Sequence, residues 1–291
     1  MSDREMTAEI AVAPSPLSRE PVTDGGVMHC GTVDRSGQYR TKAGNEFPPK
    51  EALHRNPSKN EANPGKILTS FNARKFRREQ PGDPHLMLQF ISRAIAFDEP
   101  VPFIMYWGKG PRATLADPDI ECIEFLNAMT RQVRDAYPPG ARLKLIFTDT
   151  HAALNGHSQA DIRSYFGEID VCARGRGFDT CWLGDLVRAA GSELGPIDHD
   201  MPQDMASRLT ASARKWYRGE GTIERGALKY YQANMLEKRV VERAFPDSIM
   251  ITFNSSALRS LLPPHLPVFY MYSMRRGFSV KPWFISPDSP P

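Results

Sequence analysis

A strand, a helix and a second strand follow one another between residues 102 and 148, and this segment constrains the fold more than any other. Residues 102–107 are a short apolar run rich in aromatic side chains, which is typical of a buried strand of a parallel sheet. Asp117 as N-cap and Pro118 at the first turn predict a helix start. Residues 143–148 form a second apolar run. The order predicts a βαβ unit in an α/β fold, a Rossmann-like, mainly parallel sheet flanked by helices.

Hydrophobic periodicity predicts further elements on both sides of this unit. Apolar residues at helical spacing predict helices, and short apolar runs predict strands. The predicted helices cover residues 71–78, 86–96, 158–168, 179–190 and 225–244, and the predicted late strands cover residues 249–253 and 268–274. Residues 282–284 are expected to close the domain. The Lys and Arg residues between positions 229 and 243 are most simply the solvated face of a helix.

The first 65 residues differ from the rest of the chain. They are rich in Pro, Gly, Ser, Asn and charged residues and show no sustained periodicity. Such a segment buries too little apolar surface to offset its conformational entropy. We therefore expect residues 1–65 to be a disordered or loosely attached N-terminal arm, the alternative being an arm that folds over the body. Residues 66–291 are predicted to form a single α/β domain of catalytic type.

Composition excludes several classes of protein. Hydrophobic residues make up 41% and charged residues 24% of the chain, which excludes wholesale disorder, a collagen-like repeat and a coiled coil. No apolar stretch approaches the roughly 18 residues of a membrane span, and the N-terminus lacks the order of a secretory signal. The formal charge of +3 is far from that of a nucleic-acid binder. A cytoplasmic protein that binds neither membrane nor nucleic acid is expected.

Metal and nucleotide motifs are missing from the sequence. The four cysteines are far apart and show no CxxC pair or His spacing typical of zinc. His151 and His157 are six residues apart, which is not a metal signature. No P-loop, GxSxG or HExxH motif occurs. The expectation is therefore reduced thiols, no metal site and no cofactor.

Basic residues follow the first predicted strand. Lys109 and Arg112 lie in a loop with Gly and Pro, where cations and backbone N–H groups can hold a phosphate or carboxylate. Ligands of open α/β sheets bind beyond the carboxyl ends of the strands, so the loop is well placed for this role. The alternative is a solvated turn.

Asp149 and His151 follow the second predicted strand. An acid at a strand end has the position of a general base or an amine anchor. The alternative is a turn or helix cap, because Asp-Thr-His also suits an Asx turn. His151 is the stronger functional candidate of the His pair, since it lies beside Asp149. His157 is more simply structural or solvent-facing.

Several short motifs occur in a fixed order. They are residues 106–112 (Tyr-Trp-Gly-Lys-Gly-Pro-Arg), 118–119 (Pro-Asp), 137–141 (Tyr-Pro-Pro-Gly-Ala) and 148–150 (Thr-Asp-Thr). From about residue 67 onward the chain resembles the isocyanide synthase family, also described as pyoverdine/dityrosine biosynthesis proteins. The family has Phe-Pro-Phe-Lys-Ser-Pro-Asn, Pro-Asp, Tyr-x-Pro-Gly-Ala and Ser-Asp-Gly at these places, and a Tyr where Tyr165 stands.

The chain departs from the family pattern near its C-terminus. Residues 245–254 read Phe-Pro-Asp-Ser-Ile-Met-Ile-Thr-Phe-Asn, where the family has Phe-Pro-Asp-x-Ile-Arg-Leu-Ser-Ile-His. Met250 thus replaces an Arg and Asn254 a His. The family's later Pro-Trp-His motif is here Pro-Trp-Phe, with Phe284 replacing a second His. An acid that follows the Pro-Asp motif is also missing, with Cys122 in its place and Glu121 beside it.

The resemblance implies an enzyme of secondary metabolism. Its reaction would join the α-amine of an aromatic amino acid to the ketone of a sugar phosphate such as ribulose 5-phosphate and then fragment the adduct to an isocyanide. No cofactor is implied, and a partner oxygenase would modify the product. The candidate catalytic residues are Asp149, His151 and Glu121, and the candidate substrate- or phosphate-binding residues are Lys109, Arg112, Asp119, Tyr165, Asn254 and Trp283.

Two other functions stay open because of the substituted Arg and His positions. One is an enzyme of the same fold that acts on a different amine or carbonyl substrate by a different reaction. The other is a catalytically silent protein that binds a ligand or a partner.

Overall fold

A computed structural model of the chain describes residues 62–108, 114–191, 201–272, 274–275 and 278–279. These residues all belong to one compact unit, Arg55–Pro291. The predicted arm therefore lies outside the described residues up to position 61, as do Lys109, Arg112, Trp283 and Phe284. The last residues assigned to the arm are described, and Pro64 begins the first helix.

Eight α-helices are present among the described residues. They are α1 (Pro64–Phe71), α2 (Pro84–Phe97), α3 (Asp117–Ala136), α4 (Asp149–Leu154), α5 (Gln159–Arg174), α6 (Leu183–Ala190), α7 (Gln203–Trp216) and α8 (Ile223–Ala244), followed by a 3₁₀ helix (Ser256–Leu261). Several begin with a side-chain cap that the sequence supplies. For example, Ser158 Oγ accepts the backbone N–H of Asp161 at 3.1 Å at the start of α5.

Five strands form one parallel sheet in the order β3-β2-β1-β4-β5. They are β1 (Val101–Trp107), β2 (Ala141–Phe147), β3 (Asp179–Trp182), β4 (Ile249–Thr252) and β5 (Val268–Tyr270), and a short antiparallel pair follows, β6 (Met274–Arg275) with β7 (Phe278–Ser279). The predicted α/β fold with a parallel sheet is confirmed. Because β1 pairs with both β2 and β4, strand order reverses beside β1, and open sheets bind ligands at such a point.

Both faces of the sheet are buried, each against its own helices. Alternate residues of β1 point to opposite faces, as strand geometry requires. Phe103, Met105 and Trp107 pack with α1, α2, α3 and α5, whereas Ile104 packs with Val241 of α8. This double coverage explains why the central strands read as continuous apolar runs in the sequence.

A third cluster of buried residues joins α7 to α8. Leu209 and Ala213 of α7 pack against Ala227 and Tyr231 of α8. Because α8 also packs on the sheet through Val241, the helix carries buried side chains along most of its length. The Lys and Arg residues predict a helix with a solvated face. The structure shows that α8 also contributes to two buried clusters.

The prediction of a helix at residues 71–78 is wrong. Helix α1 ends at Phe71, and the segment after it runs along the edge of the sheet. There the backbone N–H of Arg78 donates to Tyr270 O at 2.9 Å, and the backbone N–H of Tyr272 donates to Phe76 O at 2.8 Å. These bonds to the edge strand occupy backbone groups that a helix would have needed.

Two other boundaries also differ from prediction. Residues 179–190 are not one helix, because Asp179–Trp182 pairs with β2 before α6 starts at Leu183. Helix α3 begins one residue earlier than predicted, so Ala116 rather than Asp117 is its N-cap. Asp119 completes that start by accepting the backbone N–H of Ala116 at 3.0 Å. Helix α7 has no counterpart in the prediction.

Among the helices of the described residues, none combines the length and the apolar character that crossing a bilayer requires.

Candidate functional site

The carboxyl ends of β2, β1 and β4 lie side by side, since these strands are parallel neighbours. Strand β1 is followed by Gly108, whose φ of 66° lies in the left-handed region that favours glycine. The chain thus turns at Gly108, the last described residue before position 114. Strand β2 runs directly into α4, and β4 is followed by Asn254. The candidate site is this edge of the sheet.

A buried His–Glu pair joins α4 to α8. His151 Nδ1 lies 2.7 Å from Glu237 Oε1, and the two side chains are 3% and 4% exposed. Thr150 Oγ1 donates to the same Glu237 oxygen at 2.5 Å. Because a carboxylate only accepts, it assigns the ring proton to Nδ1 and makes Nε2 the basic nitrogen of the neutral ring. The pair therefore has the arrangement of a general acid–base group oriented by a carboxylate.

Tyr230 holds the His151 ring from a second side. The two rings are stacked with centroids 5.9 Å apart and an angle of 7° between their planes. The Tyr230 hydroxyl donates to Asn155 Oδ1 at the end of α4, which ties this tyrosine to the same short helix. Burial raises the pKa of Tyr230 to about 12, so its hydroxyl stays a donor at neutral pH.

Asp149 faces a different neighbour from His151. It is the first residue of α4, and its Oδ1 accepts the backbone N–H of Gly184 at 2.9 Å. Burial raises the pKa of the Asp149 carboxyl, and the Gly184 N–H partly offsets this shift. A Cβ atom at position 184 would lie 2.4 Å from Asp149 Oδ2, so only glycine allows this approach. A half-buried carboxyl with a raised pKa at a strand end is suited to proton exchange.

A second buried network joins β1, α3 and α5. Trp107 Nε1 donates to the Tyr165 hydroxyl at 3.2 Å, and that hydroxyl donates to Asp119 Oδ1 at 2.9 Å. The other Asp119 oxygen accepts from the backbone of Ala116. All three side chains are buried, and burial together with the Asp119 charge raises the pKa of Tyr165. The network joins the end of β1 to the start of α3, the two ends of the loop.

The residues predicted for the site fall into four groups. Asp149 and His151 lie together on α4, and Asp119 and Tyr165 bond to each other. Glu121 is exposed on α3, and Asn254 is half-buried after β4. Lys109, Arg112 and Trp283 lie outside the described residues. The roles given to these residues stay predictions.

Position 250, where the resembling family has an arginine, is filled by an apolar core residue. Met250 is fully buried and packs with Ile104, Ile146 and Val241 on the α8 face of the sheet. Position 250 therefore supplies no cation to the site. Its side chain is part of the apolar core instead.

Glu237 is the residue that sequence reasoning missed. Tyr230, Asn234, Glu237 and Val241 are spaced at intervals of four, three and four along α8, and all are buried. This spacing puts them on one face of the helix. A carboxylate within such a stripe is the signal that distinguishes Glu237 from the other charged residues of the helix.

Metal ligation has no candidate cluster among the described residues. No group of three or more His, Cys, Asp or Glu side chains is placed there to hold an ion.

Comparison with known proteins gives a likeness in structure. No protein-family model matches the chain, and no curated protein sequence matches it. The crystal structure of the PvcA protein from Pseudomonas aeruginosa matches with a TM-score of 0.55 and 15% identity, covering 72% of this chain and 82% of that chain. The fold is similar to that of PvcA. At this identity the likeness shows a shared fold.

Proposed function

We propose that this protein is an enzyme related to the isocyanide synthases, one that condenses the amine of an amino acid with the ketone of a sugar phosphate such as ribulose 5-phosphate. The observation that carries the proposal is the buried His151–Glu237 pair at the carboxyl edge of a PvcA-like sheet. PvcA is placed in the pyoverdine/isocyanide synthase family, the family that the sequence motifs resemble. The sequence motifs and the likeness in fold therefore support the proposal together.

The described residues suit the proton transfers that such a condensation needs. Addition of an amine to a ketone and loss of water require one group that gives a proton and one that takes it. His151, oriented by Glu237, would move protons at Nε2. Asp149, with its raised pKa, would act as the second group or hold the amine. Lys109 and Arg112 would supply the cations for the phosphate.

The departures from the family pattern favour a changed substrate or a changed later step. Met250 is core-packed, so it takes no part in binding an anionic substrate. Asn254 and Phe284 have no titratable group where the family has His. The second candidate function is therefore an enzyme of this fold that acts on another amine and carbonyl pair. A pathway partner, such as an oxygenase acting on the product, is proposed with the first candidate.

Mass spectrometry of the purified protein with tyrosine or tryptophan and ribulose 5-phosphate tests the proposal. An isocyanide product is expected, and His151→Asn should reduce its formation about 100-fold or more. Glu242→Gln, an acid elsewhere on α8, is the matched control and should leave the rate unchanged.

Each other outcome has a defined meaning. A condensation product without fragmentation supports the proposed condensation with a changed later step. No product and no binding of ribulose 5-phosphate by calorimetry contradicts the proposed reaction. Normal turnover by His151→Asn contradicts the assignment of the site.

A further inference from the structure

Tyr106 holds a buried hydroxyl that no group among the described residues satisfies. The residue is the penultimate position of β1 and is half-buried, but its hydroxyl oxygen is shielded from solvent and has no hydrogen-bond partner in that part of the chain. Burying such a hydroxyl without a partner is unfavourable. A native protein that keeps one therefore needs a reason, and an absent ligand is one.

The position of Tyr106 relates it to the His151–Glu237 pair. Its side chain packs on the α8 face of the sheet, where Val241 of α8 belongs to the same cluster. Glu237 lies one helical turn before Val241, toward the carboxyl edge, so it faces the same part of β1. Burial raises the pKa of Tyr106, and the Glu237 charge adds to this shift.

We propose that the Tyr106 hydroxyl binds the amine of the substrate beside Glu237. A carboxylate next to the phenol favours a cationic donor and disfavours an anion at this point. The phenol oxygen has lone pairs that can accept one amine hydrogen. The inference rests on the proposed function for its choice of an amine.

The test compares Tyr106→Phe with the wild-type protein in binding and in thermal unfolding. The probes are L-phenylalanine and hydrocinnamate, which lacks the amine. Tyr106→Phe should weaken L-phenylalanine binding about tenfold, the size of one hydrogen bond, and leave hydrocinnamate binding unchanged. The unliganded variant should melt at a higher temperature, because it no longer buries an unsatisfied hydroxyl.

Tyr137→Phe is the matched control. The Tyr137 hydroxyl donates to the backbone oxygens of Ala94 and Glu99 at 3.2 and 3.0 Å, so this variant should melt at a lower temperature and bind the amine normally.

Three results would overturn the proposal. They are equal L-phenylalanine affinity in Tyr106→Phe, a lower melting temperature for that variant, and a wild-type protein that binds L-phenylalanine no better than hydrocinnamate. Failure of the proposed reaction is seen separately, as absence of product with ribulose 5-phosphate while L-phenylalanine still binds in a Tyr106-dependent way.

Discussion

Helix α8 carries two Glu–His pairs with opposite surroundings. Glu237 meets His151 at 2.7 Å, with both side chains at most 4% exposed. Glu242 lies little more than one turn further along and meets His265 at 3.1 Å, with the histidine 85% exposed. The residue types and the helix are the same, so burial is the main difference between them.

The difference in burial indicates which pair is suited to proton transfer. In water, an exposed pair is screened and contributes little to stability. A buried pair loses its hydration, so its geometry is fixed by the few groups that contact it, here Thr150 and Tyr230. A fixed imidazole with one nitrogen held by a carboxylate is suited to proton transfer. The exposed pair lies at the surface near the end of the helix.

The largest expected effect comes from removing each histidine in turn. His151→Leu leaves the Glu237 carboxylate buried without that partner and should lower the free energy of unfolding by about 3 to 5 kcal/mol. His265→Leu should change it by about 0.5 kcal/mol or less. Urea unfolding at neutral pH measures both. Losses of similar size would show that burial does not separate the two pairs.

A double-mutant cycle on each pair should give the next largest difference. The coupling energy between His151 and Glu237, measured with His151→Leu and Glu237→Gln, is expected to be about 2 kcal/mol. The corresponding value for His265 and Glu242 is expected to be about 0.5 kcal/mol. A Glu237→Gln change that fails to recover part of the His151→Leu loss would contradict the proposed coupling.

Asp149 extends the comparison to a half-buried acid that accepts a backbone N–H from Gly184. Its pKa is raised above the ordinary 3.8, so the folded state binds more protons than the unfolded state in the range just above that value. Stability should therefore fall as the pH rises through the raised pKa, and Asp149→Asn should remove this part of the slope. Urea unfolding from pH 3.5 to about 7 measures it.

The exposed Asp135 provides the control for that experiment. Asp135→Asn should keep the full slope, because its carboxyl is exposed on α3. A slope that persists in Asp149→Asn would place its origin at another group.

Salt should give the smallest effect. The coupling of His265 with Glu242 is expected to fall by a few tenths of a kcal/mol between low salt and about 1 M NaCl, where the Debye length is about 3 Å. The coupling of His151 with Glu237 should stay constant, because no solvent separates the groups. The double-mutant cycles repeated at both salt concentrations measure this, and equal sensitivity would indicate that water reaches the inner pair.

The sequence predicts the centre of the fold better than its edges. Strands β1 and β2 and the helix between them follow from apolar runs and a Pro-based helix start, because both faces of these strands are buried. Strand β3 is a half-buried edge strand with the sequence Asp-Thr-Cys-Trp, which has no apolar period to detect. The segment at 71–78 has helical spacing, but its backbone groups form hydrogen bonds with the edge strand rather than within a helix.

The candidate site was predictable in part. Asp149 and His151 follow from their place after a strand, since the carboxyl edge of a parallel sheet is known once the strands are. Glu237 lies 86 residues from His151 in the chain, and only the packing of α8 across the sheet brings them together. Asp119 and Tyr165 are predicted from sequence motifs as substrate-binding residues. In the structure their side chains bond to each other.

The close contact of Asp149 with Gly184 constrains how this protein can evolve. A side chain at 184 would overlap the carboxylate in its present position, so an acid at 149 and glycine at 184 are expected to change together. Among relatives, loss of the acid should free position 184 to accept alanine or serine, while retention of the acid should favour glycine there. The pair therefore offers a two-letter record of which lineages have kept this contact at the end of β2.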